Sequence, residues 1–401
     1  MAVTLAQESP RQKGFYVPDF ELRLNNTVLR AEMADITQVS YHDNIKEIDG
    51  FELTINNWDA TTRGFKYVGS ETPSSLAGGP FSARYALFEP CRGPVEVWMG
   101  YLGDLRQMVS GRFTTLEPTF PNGGAPILTV RGVNILNELR TKQFTTSWTG
   151  KRDSEIASDI ARLTDPATGR RRFNADIEVH PAFRAIETPV DYVAQENQYD
   201  IDFLLVRARQ RGYVVTMLSN GSRPRLYFGP STEVDTVAAR AVTFQLDWGK
   251  SLMEFKPTMT TTNQVRSVTV HGWNRRTRRP IVERVSLEDS RFRRFADLRR
   301  YLAMCNPRED VVVNEPVFTA EQARARAEAI LFGAATEFVK ATGRTVGLPD
   351  LRAGANVVIG GIGSRFGGNY FVTETTHTIG TTGYTTQFSA RREEPGGVAA
   401  V

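Results

Sequence analysis

The sequence contains few of the residues from which most metal and redox sites are built. It has two cysteines and four histidines in 401 residues. Cys91 and Cys305 lie far apart with no second thiol or histidine near them, so we expect both to be reduced and packed as small hydrophobic groups. The dispersed histidines lack the spacing of a zinc site, which predicts no metal. The four are His42, His180, His271 and His377.

Sequence signatures of catalysis and cofactor binding are also missing. There is no nucleophile elbow, and no lysine follows a glycine-rich loop. Gly360–Gly363 falls between predicted strands with no helix after it, so we interpret it as a turn rather than a nucleotide site. His271 and His377 both fall on predicted strands and could meet, but a hydrogen-bonded structural histidine is the favoured interpretation. We therefore predict no cofactor.

Three carboxylates close together in sequence deserve separate mention. Glu196, Asp200 and Asp202 lie on or before a predicted helix. The sequence offers them no environment that would raise a pKa, as a pair of catalytic carboxylates requires. We predict no catalytic residue and no enzymatic activity. A cell-wall hydrolase acting through Glu196 remains an alternative.

Long apolar runs are absent as well. No stretch approaches the roughly 18 to 20 apolar residues of a membrane helix. The first twenty residues lack a basic segment followed by an apolar core, so we expect no secretory signal peptide and synthesis in the cytoplasm. With 40% hydrophobic and 23% charged residues, the composition is typical of a globular protein, and the length predicts two to four domains.

Arginine is abundant, although the net charge is only +4. It concentrates at Arg170–Arg172, Arg275–Arg279 and Arg291–Arg300. Such clusters bind phosphates or form ion pairs in protein interfaces. The interspersed acidic residues favour interfaces over nucleic acid, which remains an alternative, and a solvated loop and helix face explain the last two clusters equally well. The candidate interface residues are Arg275, Arg276, Arg278, Arg279, Arg291, Arg293 and Arg294.

Alternating apolar residues predict a first antiparallel β domain over residues 1–145. A loop rich in Gly, Ser, Thr and Pro is expected at Thr61–Phe81, and Pro121–Gly124 has the chemistry of a hairpin turn. The predicted strands are Asp19–Val28, Ile36–Tyr41, Asp49–Asn57, Pro94–Tyr101, Gly111–Pro118 and Ala125–Val133.

Residues 146–248 are predicted to form an α/β insertion. Lys151–Leu163 has helical periodicity, and Val190–Gln210 contains a second helix that ends near Gly212. The strands Tyr213–Leu218 and Arg225–Phe228 follow, joined through Asn220-Gly221.

A second β domain is predicted over residues 249–392, with a helical excursion at about 287–340 and a flexible tail at 393–401. The fold class is thus α+β and mainly β. Predicted elements are the strands Gln264–Trp273, Ile281–Val285, Asn356–Gly361, Gly368–Ile379 and Tyr384–Arg392, and the helices Phe292–Cys305 and Glu321–Phe338.

Several of these segments resemble a known family. Leu116–Val133 is similar to a strand–turn–strand piece, and Thr188–Gly212 to a polar segment that leads into a helix ending in Arg-Gly. Gly347–Arg392 carries an L-P-x-L-x-x-G entry from Leu348 and a Y-x-V-x-x-x-x-H strand from Tyr370. Together with Gln264–Val285, these segments resemble phage late control gene D proteins, the hub family of contractile tails, and the N-terminal part of type VI valine-glycine-repeat spike proteins.

The resemblance implies a structural role. Each protomer would carry two β-barrels like the tail-tube subunit, and a homotrimer would present a pseudo-hexameric ring between a six-fold tube and a three-fold spike. The implied partners are a separate spike tip protein, an inner tube or tube-initiator protein, and baseplate wedge proteins. The implied location is the baseplate of a phage tail, a tailocin or an extracellular injection system.

Overall fold

The computed structural model describes residues 2–4, 17–30, 32–68, 87–173, 175–179, 187–211, 213–218, 225–230, 243–305 and 308–392. Strands make up 51% of it and helices 18%, which confirms an α+β fold that is mainly β. Most of the predicted loop after Phe65, the turn at Asn220-Gly221, Gly212, His180 and the tail at 393–401 lie outside the described residues.

The first β region, residues 17–134, contains antiparallel strands around one apolar core. In its strand Gly50–Asn56, Phe51, Leu53 and Ile55 are buried and alternate with partly exposed residues, as a sheet with one buried face requires. A tight turn with positive φ at Asn25 and Asn26 breaks the predicted strand Asp19–Val28 in two. The first strands are β1 (Ala2–Thr4), β2 (Pro18–Leu24), β3 (Thr27–Val28), β4 (Ile36–Asn44), β5 (Gly50–Asn56), β6 (Trp58–Asp59), β7 (Gly64–Phe65), β8 (Val95–Tyr101), β9 (Asp104–Thr119) and β10 (Ile127–Asn134). The antiparallel strands around the core follow the order β4-β5-β10-β9-β8-β2-β3.

The insertion, residues 135–230, has its own apolar core, in which Trp148 stacks on Phe203 with 5.4 Å between ring centroids. The predicted second helix begins only at Asp200, because the residues before it pair with a neighbouring strand, Val193 opposite Trp148. A 3₁₀ helix at Ile135–Arg140 connects the first β region to the insertion. The elements are β11 (Gln143–Lys151), α1 (Asp153–Ile160), β12 (Asp176–Glu178), β13 (Val190–Tyr199), α2 (Asp200–Arg211), β14 (Tyr213–Leu218) and β15 (Arg225–Pro230).

The second β region, residues 243–392, combines further strands with two helices. The longer helix starts at the N-cap Thr319, whose hydroxyl accepts the amide of Gln322 at 3.2 Å. Its buried stripe, which includes Ala323, Ala327 and Leu331, belongs to the same core as the strands. The elements are β16 (Thr243–Asp247), β17 (Leu252–Met259), β18 (Val265–Asn274), β19 (Arg279–Ser286), α3 (Ala296–Met304), β20 (Arg308–Val312), α4 (Ala320–Thr336), β21 (Val339–Val346), β22 (Asn356–Gly360), β23 (Gly368–Gly380) and β24 (Gly383–Arg391).

One continuous sheet joins the two β regions. Strand β4 of the first pairs antiparallel with β23 of the second, with Tyr41 opposite His377. The hydrogen-bonded order is β1-β16-β22-β23-β4-β5-β10-β9-β8-β2-β3, and β24, β21 and β17 branch from β23. Strand β18 lies between β19 and β20 in a separate three-stranded sheet. Because the main sheet contains strands of both β regions, it does not mark where one domain ends and the next begins. The predicted domain boundaries therefore stay predictions.

Candidate assembly surface and buried seam

The arginine cluster Arg275–Arg279 occupies the tip of the β18–β19 hairpin. The amides of Arg276 and Thr277 both donate to the Asn274 side chain at 3.0 Å, which closes the turn. The guanidinium of Arg275 lies 4.4 Å from the ring centroid of Phe318, a cation–π distance. Arg275, Arg276, Arg278 and Arg279 are all exposed, so the hairpin presents them on one small surface.

The arginines of the cluster Arg291–Arg300 have different roles. Arg291 forms an ion pair with Glu328 of α4, and Arg293 is exposed. Arg294 is half-buried, and its guanidinium lies 4.9 Å from the ring centroid of Phe332 and 5.3 Å from that of Phe295. Arg294 is therefore part of the local packing, whereas Arg291, Arg293 and Arg300 are exposed.

An exposed apolar face adjoins the arginine hairpin, and sequence reasoning missed it. In the sheet of β18, β19 and β20, one face packs against α4 through residues such as Val268 and Val270. On the opposite face Trp273, Val282 and Val311 are 52%, 56% and 61% exposed. The signal was available in the sequence, because β18 and β19 carry apolar residues on both faces, whereas a strand with one solvated face alternates.

The candidate carboxylates and cysteines do not form a reactive site. Glu196 is exposed and Asp202 pairs with Arg140 at 2.5 Å. Burial raises the pKa of Asp200, although Gln195 and Arg172 lower it by hydrogen bonding at 2.7 Å and 3.5 Å. The two cysteines are Cys91 and Cys305, and both are free and exposed, so the expected packing is wrong. Neither follows the core pattern, because Cys91 lies in a turn with positive φ and Cys305 caps α3.

The two histidines that could have met, His271 and His377, do not come together. His271 is exposed on β18, while His377 is fully buried on β23 in the other sheet. Across the described ranges, no group of three or more His, Cys, Asp or Glu side chains could hold a metal ion. Both ring nitrogens of His377 lie within 3.2 Å of hydrogen-bonding groups, including the Leu351 carbonyl at 3.0 Å. His377 therefore fits the favoured interpretation of a hydrogen-bonded structural histidine.

A buried polar cluster lies where the two β regions meet; we call it the seam. Arg352, between β21 and β22, reaches into the first region. Its guanidinium donates to the Asp43 carboxylate at 2.7 Å, the Tyr41 hydroxyl at 2.6 Å and the Met108 carbonyl at 2.8 Å. Thr375 of β23 donates to the same carboxylate. Each of these side chains is buried, so the hydrogen bonds of the cluster replace those that its charges would make to water.

The pKa values of Asp43 in the seam and of two buried groups beside it, Asp49 and His377, are shifted in different directions. Burial opposes ionisation of Asp43, but the charge of Arg352 and hydrogen bonds from Thr375 and Arg352 lower its pKa below the usual range. Burial and the nearby charge of Asp43 raise the pKa of Asp49 to about 7. Burial and the charge of Arg352 lower the pKa of His377 to about 3. At neutral pH the seam therefore contains an Asp43–Arg352 ion pair beside a neutral imidazole.

Comparison with known protein families gives one match over about three quarters of the chain. The model of the family described as Alg8 N-terminal domain matches residues 83–381. The chain belongs to this family. Comparison with curated protein sequences finds no match. The matched range begins inside the first β region and includes Met108, Arg352 and the whole of β23, whereas Tyr41 and Asp43 lie before it.

Solved structures with the same fold are tail proteins. The 43 kDa tail protein of prophage MuSo2 from Shewanella oneidensis is 14% identical, with a TM-score of 0.62 over 94% of this chain and 98% of that one. The tail protein of Neisseria meningitidis MC58 is 12% identical, with a TM-score of 0.62 over 94% and 97%. Prophage tail protein gp18 of Listeria monocytogenes EGD-e is 12% identical, with a TM-score of 0.50 over 94% and 95%. The resemblance to tail hub proteins is thus confirmed at the level of the fold.

Proposed function

We propose that this chain is the central hub of a contractile injection machine, a phage tail or a phage-tail-like particle. Three copies would form a ring that seats a spike on one side and continues the inner tube on the other. The shared fold with tail proteins across 94% of the chain supports this role. The protein would act as a structural part, without catalytic activity, in the baseplate.

The observation that carries the proposal is the continuous sheet through the seam. Two β regions in each of three copies give six β units, which is the number a six-fold tube requires. Because β4 pairs with β23 and the Arg352–Asp43 pair is buried beneath them, the two units of one chain are held at a fixed angle. A rigid angle is what an adaptor between a six-fold and a three-fold structure needs.

The arginine hairpin and the neighbouring apolar face are the proposed contact surface for other baseplate components. Tryptophan, here Trp273, and arginine are residue types that are enriched in the centres of protein interfaces. A variant carrying Arg276→Glu and Arg279→Glu should keep its fold but fail to assemble. Replacing Arg294 would be a poor test, because that side chain packs on two phenylalanine rings. Normal assembly of the hairpin variant would refute the contact.

Two alternatives predict different results. A nucleic-acid-binding protein would show strongly salt-dependent binding to DNA. Many of the arginines outside the hairpin are neutralised by neighbouring carboxylates, such as Arg326 by Glu315 at 2.5 Å, which disfavours this alternative. A cell-wall hydrolase would clear peptidoglycan and lose that activity in Glu196→Gln.

The deciding experiment is the native mass of the purified chain. The hub proposal expects a trimer of three times 44.8 kDa, alone or after a spike protein from the same gene neighbourhood is added. A chain that stays monomeric at high concentration with that spike protein present would overturn the proposal.

A further inference from the structure

A polar cleft of about 400 Å³ opens over the junction of the two β regions. Its far wall is formed by strands β17, β21 and β24, and its near wall by β23 and the residues that follow β4. Glu374 of β23 lies opposite Asn44 of β4 in the sheet register, so the floor of the cleft is the sheet that joins the regions. A ligand bound here would contact both of them.

The cleft contains more positive than negative charge. Four cationic side chains line it, against the two carboxylates Glu337 and Glu374. Glu337 forms an ion pair with Lys340, and Glu374 lies 3.5 Å from the His42 ring. The cations are Lys46, Lys256, Lys340 and Arg391.

Two of these cations have no neutralising neighbour. Lys46 and Lys256 are exposed, and among the described residues neither forms an ion pair. The pKa of Lys340 is lowered by burial and by the charges of Lys46 and Arg391. The cations thus repel one another across the cleft, and a bound anion would relieve that repulsion.

The remaining lining groups identify the chemistry of the ligand. Thr258, Thr342, Thr373 and Ser389 supply hydroxyl groups that can donate or accept hydrogen bonds. The apolar lining consists of Ala341 and Ala390, both buried, so an apolar segment would find little surface. None of the lining residues in the described ranges is aromatic, and stacking on nucleobases would need aromatic side chains.

We propose that this cleft binds an acidic peptide segment of a partner protein. Carboxylates on the segment would pair with Lys46, Lys256 and Arg391, while its backbone amides would donate to the hydroxyls and to Glu374. A polyphosphate chain fits less well, because it has no amide N–H groups to donate to Glu337 and Glu374, whereas a peptide backbone does. The proposal concerns the purified chain and does not depend on its role as a hub.

The test is the fluorescence anisotropy of a fluorescein-labelled, amidated peptide of sequence GDEDEG titrated with the full chain. Lys46→Glu with Lys256→Glu should weaken binding by about tenfold or more. The matched control, Arg170→Glu with Lys250→Glu, makes the same charge change at exposed positions outside the cleft and should stay within about twofold. Lys46→Arg with Lys256→Arg should retain binding.

Three results would overturn the proposal. The first is absence of peptide binding by the unmodified chain. The second is equal loss in the cleft and control variants, which would show nonspecific attraction. The third is tighter binding of an oligothymidylate of about twelve nucleotides with the same dependence on Lys46 and Lys256, which would make the ligand a nucleic acid.

Discussion

Two buried groups near the seam should make opposite contributions to the pH dependence of stability, and separate substitutions should reveal each one. The perturbations are His377→Gln and Asp49→Asn. Asp49 accepts the Asn44 amide at 3.2 Å and the Asn134 side-chain amide at 2.9 Å. Both substitutions keep a hydrogen-bonding group of similar size and remove the titration. The informative quantity is therefore how the free energy of unfolding changes with pH, rather than its value at one pH.

The sign for His377 follows from its lowered pKa. The unfolded chain takes up a proton near pH 6.5, while the folded chain resists it down to about pH 3. The stabilising contribution of the neutral imidazole is complete above pH 6.5 and is lost as the pH falls toward 3, by about 1.4 kcal/mol per pH unit. The free energy of unfolding of His377→Gln, taken relative to that of the unmodified protein, should therefore fall by about 1.4 kcal/mol per pH unit as the pH rises from about 4 to about 6.

Asp49 should behave in the opposite way, because its pKa is raised from 3.8 to about 7. The folded chain holds a proton there that the unfolded chain releases, so its contribution is complete below pH 3.8 and is lost as the pH rises through about 7. The free energy of unfolding of Asp49→Asn, taken relative to that of the unmodified protein, should rise by about 1.4 kcal/mol per pH unit between about pH 4 and about pH 6. Asp43, whose pKa is lowered, does not contribute in this range because it loses its stabilising charge only at lower pH.

Urea denaturation at fixed protein concentration, at several pH values between about 4 and about 6, measures these differences. Subtracting the values of the unmodified protein cancels the other titrating groups. The double variant serves as a control, and its difference should be nearly independent of pH because the two slopes cancel. Flat differences for both single variants would refute the reasoning, since they would mean that these side chains titrate normally and that water reaches them.

Three further predictions concern packing and charge. Arg352→Met should cost about 3–5 kcal/mol in urea denaturation, since it leaves a buried carboxylate without its partner; a loss below about 1 kcal/mol would mean that the pair is hydrated. Arg294→Ala should destabilise by about 1 kcal/mol through lost cation–π packing, while exposed Arg293→Ala should stay within about 0.5 kcal/mol, and equal effects would contradict the distinct roles. Gly343→Ala should cost about 1–3 kcal/mol in thermal unfolding, because an added Cβ would lie 2.4 Å from the Phe388 ring; a neutral result would mean that the ring moves aside.

Local patterns in the sequence predicted many of the strands and the long helix. The predicted strand Gly368–Ile379 corresponds to β23, and the predicted helix Glu321–Phe338 to α4. Local patterns were least informative where a partner decides the structure. The residues before Asp200 became a strand because β11 pairs with them, and no local pattern reveals that partner. The Asn25-Asn26 turn was missed, although paired asparagines tolerate positive φ and are typical of such turns.

The seam could not have been found from the sequence alone. Asp43 and Arg352 are separated by 309 positions, and each appears in isolation as an ordinary surface charge. Only the pairing of β4 with β23 brings them together. The arginine-rich segments, in contrast, were visible as clusters, but the sequence could not show that Arg294 packs on aromatic rings while its neighbour Arg293 remains exposed.

The chemistry of the seam is consistent with a joint whose geometry must be fixed. A one-residue slip of β23 against β4 would turn Thr375 and His377 away from Asp43 and leave buried charges without partners. An apolar joint could tolerate a small slip, because hydrophobic contacts have little directional preference. A buried ion pair is costly to break and adds little net stability, so its main effect here is to penalise wrong registers. The same penalty would hold the two β regions at one angle in every copy of a ring.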